Sequence, residues 1–395
     1  MKLKPKHSQH PQLTGLKPKL KPIETMVKDN IKNLKPCLHG GEVLDAAGKS
    51  GLKREEILDF SSSVNPLGPS KLALEAAKNS FKEIPAYPDS NSNALRQAIA
   101  DHFMCLTKDN VICSNGSTEL MYLFADTFMR SGDKAIIPAP TFGEYESAIC
   151  KTGEQTKFVK LDKDFNVDPA AMEREMRDAK MVFLCNPNNP TSMLSPKETL
   201  TRLLDSALKQ DTLVFLDEDF LEFVEDEKDL SMTNRIKDYP NLFILRSFTK
   251  IFGLTGLRIG YGIASEEIVD VLLRAKIPWN VNCLAQAAAV AALGDEEHLK
   301  ITRQLIKKEK NWLSAELRKI DGFKVYPPDA NFFFIDTRRT GLSAAKLAGR
   351  LLSQGILIRD CTSFRGLDKF YVRVAVKTHE ENLRLIEALR QAVKK

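Results

Sequence analysis

LFILRSFTKIFGLTGLRIGY, residues 242–261, is the stretch on which the fold turns. Its opening run is apolar up to Arg246, the content of a strand covered on both faces. A loop punctuated by Gly253, Gly256 and Gly260 follows, and it holds Lys250 among Ser247, Thr249 and Arg258 rather than on a solvated helix face. Open α/β sheets present ligand-binding groups at the carboxyl ends of their strands, and this strand ends in a cation-rich loop.

Working outward, other β-rich runs alternate with segments of helical period. NVIC (110–113) precedes a helix starting near Ser117, and AIIP (135–138) precedes another. TKFVK (156–160), MVFLC (181–185) and LVFLD (213–217) are further strands. This alternation predicts an α/β fold with a mostly parallel sheet and helices on both faces. Beyond about residue 290 come a long charged helix, short strands at FKVY, FFFID, ILIR and YVRV, and an amphipathic helix over 380–392, the pattern of a smaller α+β domain. The expected organisation is a basic, disordered arm over 1–38, then a segment over 39–84 that packs with the small domain. A large domain spans 85–292 and the small domain 293–395.

Composition excludes several function classes. The formal charge of +6 comes largely from lysines in the first 35 residues, so the body offers no nucleic-acid face. Seven scattered cysteines contain no CxxC pair, so no metal is expected and a reducing, cytoplasmic setting fits. No apolar run reaches the roughly 20 residues that span a bilayer, and the basic N-terminus lacks the apolar core of a secretory signal. Prolines at 5, 11, 18, 22 and 36 break any helix in the arm.

Three more polar groups fall at strand ends. SNGSTE (114–119) is a strand-to-helix turn whose free N–H groups suit an anion. NPNNPTS (186–192) follows MVFLC, and Asp217 closes LVFLD with Glu218 and Asp219 behind it. Each alone has an ordinary reading as a cap, a turn or a paired acid.

Together and in this order they resemble the fold-type I pyridoxal-5′-phosphate (PLP) enzymes of the aspartate-aminotransferase superfamily. The resemblance implies a PLP cofactor on Lys250, the catalytic lysine, because an amine must carry the cofactor aldehyde. It implies Asp217 at the pyridine nitrogen, Asn189 at the ring phenolate and Phe142 stacked on the ring. Ser117, Thr118, Ser247 and Arg258 match the phosphate cup, and Tyr87 matches a tyrosine reaching the cofactor phosphate of a neighbouring subunit, which implies a homodimer. Arg373 in YVRVAVK matches the clamp for the substrate α-carboxylate.

Within the superfamily the nearest resemblance is to the threonine-phosphate decarboxylases of the cobalamin pathway, relatives of the histidinol-phosphate aminotransferases. It rests on HGGEVLDAAGKSGLKREEILDFSSSVNPLG (39–68), IPWNVNCLAQAAAVAAL (277–293) and ILIRDCTSFRGLDKFYVRVAVK (356–377). It implies that 39–68 folds over the active site, with His39, Gly40 and Asn65 near the substrate phosphate, Arg359 binding that phosphate, and Asn189 and Arg373 touching the substrate. The implied partner is thus a small phosphorylated amino acid, with neither nucleic acid nor membrane. Phe220 replaces a tyrosine common in aminotransferases, Ser192 a glycine and Asp219 an alanine. No motif encodes the torsion that selects the bond broken. Decarboxylation of O-phospho-L-threonine is therefore implied by the resemblance alone, and its alternatives are transamination of histidinol phosphate and a preference for O-phospho-L-serine.

Overall fold

The computed structural model describes residues 22–32 and 34–394. Most of the basic arm lies outside them. Its described part departs from the expected disorder. It forms a 3-10 turn (Ile23–Met26), one helical turn (Asp29–Lys32) and an irregular run that reaches His39. Contacts hold it there: Asn30 Nδ2 donates to the Lys151 carbonyl at 2.5 Å, and Arg359 takes the Leu38 carbonyl at 2.6 Å.

The short strand β1 (Leu58–Asp59) precedes the main sheet, which comprises β2 (Val111–Ser114), β3 (Lys134–Ala139), β4 (Gln155–Lys160), β5 (Met181–Cys185), β6 (Leu213–Asp217), β7 (Leu242–Ser247) and β8 (Gly260–Ala264). Their spatial order is β2-β8-β7-β6-β5-β3-β4. All neighbours are parallel except β8, which runs antiparallel to β7 and β2. β8 begins inside the stretch read from sequence as a loop; its glycines hid the strand, because glycine is a poor strand former. β5, β6 and β7 are almost wholly buried, as their unbroken apolar runs require. Two apolar cores flank this sheet. One joins Phe124, Tyr145, Phe183, Phe215 and Phe243, and the other joins Leu184, Leu216 and Ile244 to the C-terminal elements.

The C-terminal part contributes β9 (Lys324–Val325), β10 (Phe332–Asp336), β11 (Ile356–Leu357), β12 (Arg359–Asp360) and β13 (Tyr371–Ala375). Antiparallel β12-β13-β10-β9 form a second sheet, while β11 pairs in parallel with β1. ILIR is therefore not one strand. The chain changes sheet at Ile358, which frees Arg359 to stand opposite Arg373. Among the described residues, no helix is long and apolar enough to cross a membrane.

Candidate active site

The carboxyl edge of β5, β6 and β7 collects most of the residues singled out in the sequence. Asp217 ends β6, with Tyr145 Oη donating to its Oδ2 at 2.5 Å and the Asp219 N–H to its Oδ1 at 2.9 Å. Burial, then the Asp219 carboxylate, pushes the Asp217 carboxyl up to about 8. Glu218 turns the other way, into a buried ion pair with Arg246 at 2.7 Å.

Lys250 follows β7, with its Nζ 5.1 Å from the centre of the Phe220 ring. Burial depresses its pKa, against the pull of the Asp219 and Asp217 carboxylates. Asp219 is buried. Its Oδ2 accepts from Ser117 Oγ at 3.1 Å, while its Oδ1 has no partner.

The helix Ser117–Phe128 starts without a side-chain cap at Gly116, whose φ is 83°. The Arg258 guanidinium lies against this turn: a Cβ on Gly116 would sit 2.3 Å from Arg258 Nη2 and push it aside, and the φ of 83° itself favours glycine. Arg258 is itself left-handed (φ 58°) and donates to the Thr255 carbonyl at 3.2 Å. Half-buried Thr118 sits in the same first turn, and buried Ser247 shares a hydrogen bond with Thr249 at 2.7 Å. An open helix start, a fixed cation and hydroxyls make an anion cradle.

Opposite, Arg373 donates through Nη1 to Asn189 Oδ1 and through Nη2 to the Ser61 carbonyl at 2.7 Å; its buried Nε has no partner. Burial lowers its pKa to about 10. Arg359 donates to the carbonyls of His39 at 3.0 Å and Leu38 at 2.6 Å, and to Ser363 Oγ at 3.0 Å. Between arm and arginines lies a cavity of about 40 Å³, lined among others by His39, Gly40, Phe142 and Asn189. Gly40 packs on the Ser61 carbonyl, and the ring of Phe142 lies 5.9 Å from that of His39.

Two expected residues stand elsewhere. Asn65 does not face the arginines. Its Nδ2 donates to the Ile251 carbonyl at 2.7 Å and to Thr302 Oγ1 at 3.0 Å, and its N–H to the Lys250 carbonyl at 3.0 Å. The asparagine is consumed in bracing the lysine loop, a role that a motif beside NPLG does not reveal. Tyr87 joins none of the site residues within this chain; it is 80% exposed and stacks on Trp279 at 4.7 Å. Ser192 occupies the left-handed conformation (φ 64°) that explains the usual glycine, and its Oγ accepts the Ala330 N–H at 3.0 Å.

The structure also adds residues that sequence reasoning missed. Tyr145 follows Phe142 at helical spacing, a weak signal. Cys37, His39 and Glu144 meet only through tertiary folding. His39 Nε2 lies 2.8 Å from Glu144 Oε1, and Tyr122 Oη donates to Glu144 Oε2 at 2.6 Å. Against the push of burial, these two bonds hold the Glu144 carboxyl below its usual range.

Residues 55–389 match the family model described as aminotransferase class I and II. The chain is 35% identical over 366 residues to a histidinol-phosphate aminotransferase of Methanosphaera stadtmanae, covering 92% of this chain and 98% of that one. The same name recurs among other relatives at 33–36% identity. A provisionally named threonine-phosphate decarboxylase of Caldanaerobacter subterraneus is 37% identical over 361 residues, 91% of this chain and 95% of that one. Among solved structures, the histidinol-phosphate aminotransferase from Clostridium acetobutylicum aligns with TM-score 0.80 at 34% identity, covering 85% of this chain and 99% of that one. The L-threonine-O-3-phosphate decarboxylase from Porphyromonas gingivalis aligns with TM-score 0.76 at 28% identity and the same coverage.

Proposed function

The chain belongs to the class I and II aminotransferase family, with PLP as its cofactor, and from that premise we propose that it decarboxylates a short phosphorylated amino acid, O-phospho-L-threonine fitting best. The site suits the cofactor on its own chemistry. It offers a buried amine at Lys250, a buried carboxyl at Asp217, and an open helix start beside the fixed cation of Arg258. These are the partners that an aldehyde, a ring nitrogen and a phosphate require.

One observation carries the substrate: Arg359 and Arg373 are register partners on adjacent strands, both buried, under the 37–40 arm. Two guanidiniums this close suit two anionic groups on one small molecule, a carboxylate and a phosphate. The narrow cavity beneath the arm favours a short substrate.

Bound PLP supplies an electron sink for the charge left at Cα. The protein's residues do the rest. In this reading Arg373 holds the carboxylate and Arg359 the phosphate, which fixes the torsion at Cα. Asp217 keeps a proton on the ring nitrogen, with Tyr145 orienting its carboxyl. Asn189 steadies Arg373 and donates from its amide nitrogen to the cofactor phenolate. The depressed pKa of Lys250 suits its Nζ to carry a proton and to deliver it to Cα in place of the departed carboxylate. The arm excludes water. Phe220 packs at Lys250 without the hydroxyl that a tyrosine would bring.

The names of the relatives favour a second reading over this one: transamination of histidinol phosphate, using the same lysine and cation pair. The test is direct. The enzyme is given O-phospho-L-threonine without a keto acid, and separately histidinol phosphate with 2-oxoglutarate. Catalytic release of CO2 with (R)-1-aminopropan-2-yl phosphate supports decarboxylation. Glutamate formation in the second arm, with no CO2 in the first, overturns it in favour of the aminotransferase.

A further inference from the structure

Cys37, His39 and Glu144 lie at the mouth of the cavity, and each offers a ligand atom within 4.8 Å of the others. We propose that they form a zinc site that latches the 37–40 arm to the helix Glu144–Thr152. The proposal does not depend on which reaction the enzyme performs.

The cluster has the features of a built site. Cys37 and His39 are separated by Leu38 alone, so one short segment brings both side chains to Glu144. Glu144 presents its carboxylate at the helix start, 2.8 Å from His39 Nε2. Tyr122 binds the other carboxylate oxygen, the kind of outer hydrogen bond that orients a ligating carboxylate. Gly143 makes the approach of the thiol possible, because a Cβ there would lie 2.6 Å from Cys37 Sγ.

Thiolate, imidazole and carboxylate are the common zinc donors. With bonds of about 2.3 Å to sulfur and about 2.0–2.1 Å to nitrogen and oxygen, a tetrahedral ion separates its ligands by about 3.3–3.7 Å. His39 Nε2 and Glu144 Oε1 are 2.8 Å apart and all three ligand atoms lie within 4.8 Å of one another, a range that contains that value. On binding, the thiol gives its proton to solvent, the Sγ–Zn bond forms, and a water takes the fourth position. No redox change is involved.

The consequence is mechanical. Without metal, Arg359 takes the carbonyls of Leu38 and His39, and His39 meets Glu144 by one contact. Zinc replaces that contact with metal bonds to two arm residues and one helix residue, and it neutralises the Glu144 carboxylate.

The test uses the full-length holoenzyme, dialysed against micromolar zinc and then against buffer. Wild type is expected to retain one zinc per chain, and X-ray absorption at the zinc edge to show one sulfur at about 2.3 Å with nitrogen and oxygen at about 2.0 Å. Cys37→Ser loses the sulfur shell, and His39→Gln weakens binding at least about tenfold. Tryptic cleavage after Lys32 is expected to slow several-fold with zinc in wild type and to be unaffected in Cys37→Ser. Melting curves of the zinc-free variants report whether they fold. The proposal is overturned if wild type retains no zinc, if the sulfur signal survives in a folded Cys37→Ser, or if zinc leaves cleavage at Lys32 unchanged.

Discussion

Arg359 and Arg373 stand opposite each other in the β12–β13 register, so their side chains leave the same face of the second sheet. Two buried like charges this close repel, and burial lowers the pKa of both. An anionic ligand relieves the repulsion. Each arginine's charge-assisted contact contributes about 1.5–3 kcal/mol, so Arg373→Gln or Arg359→Gln is expected to lower kcat/KM for the phosphorylated amino acid about 10- to 150-fold. Steady-state kinetics with O-phospho-L-threonine and O-phospho-L-serine check this. An unchanged kcat/KM in either variant removes that arginine from the substrate site.

Lys250→Ala is expected to lower turnover at least about 10³-fold, because covalent cofactor attachment and proton transfer at Cα are lost together. Borohydride followed by peptide mass analysis should fix the cofactor to the 250-containing peptide in wild type and to no peptide in the variant.

Asp217 gives the apoprotein a pH signature. Its carboxyl sits at about 8 in the folded chain against an ordinary 3.8. Between those values the folded state binds a proton that the unfolded chain gives up, so stability falls as pH rises through that window. The melting temperature of the apoprotein is expected to drop from about pH 5 to about pH 8. Asp217→Asn should flatten that slope; a flat wild-type curve would contradict the assignment.

Asp219 opposes the depression of the Lys250 pKa. Removing its charge with Asp219→Asn should push the amine lower still. Acetylation of Lys250 in the apoprotein, followed against pH by mass spectrometry, reads this directly. A midpoint that stays put or rises would mean that Asp219 does not support the charge on Lys250.

Tyr87, Ile84, Phe81, Ile277 and Trp279 form an exposed apolar face, with Ile277 73% and Ile84 61% exposed. Asn280, beside Trp279, hydrogen-bonds Glu119 in the first turn of the anion-cradle helix. A second copy covering this face would bury Tyr87 and Trp279. Sedimentation should show a dimer for wild type and dissociation for Ile84→Glu with Ile277→Glu.

Much of the site was legible in the sequence, because its groups sit at the ends of strands whose apolar content is unmistakable. Asp217, Lys250 and Asn189 are fixed by what precedes them. Arg359 was legible as the end of an ILIR strand but not as the start of a second one, since the change of sheet at Ile358 depends on pairing with a segment far away. Asn65 was misplaced for a related reason: an amide serves a phosphate or a backbone carbonyl equally well, and only packing decides. Tyr145 and Glu144 gained their partners through the helix they share, which sequence spacing cannot orient.

The pairing of β1 with β11, continued by the Ala375 N–H donating to the Phe60 carbonyl at 2.9 Å, has a consequence for synthesis on the ribosome. The segment that braces Lys250 leaves the exit tunnel early but meets its partner strands only when nearly the whole chain has been made. Contacts of such long sequence separation form late. A nascent chain that already displays the main sheet therefore still lacks the partner strands of the segment that backs the lysine loop, and truncation before residue 356 should yield a protein that cannot retain its cofactor.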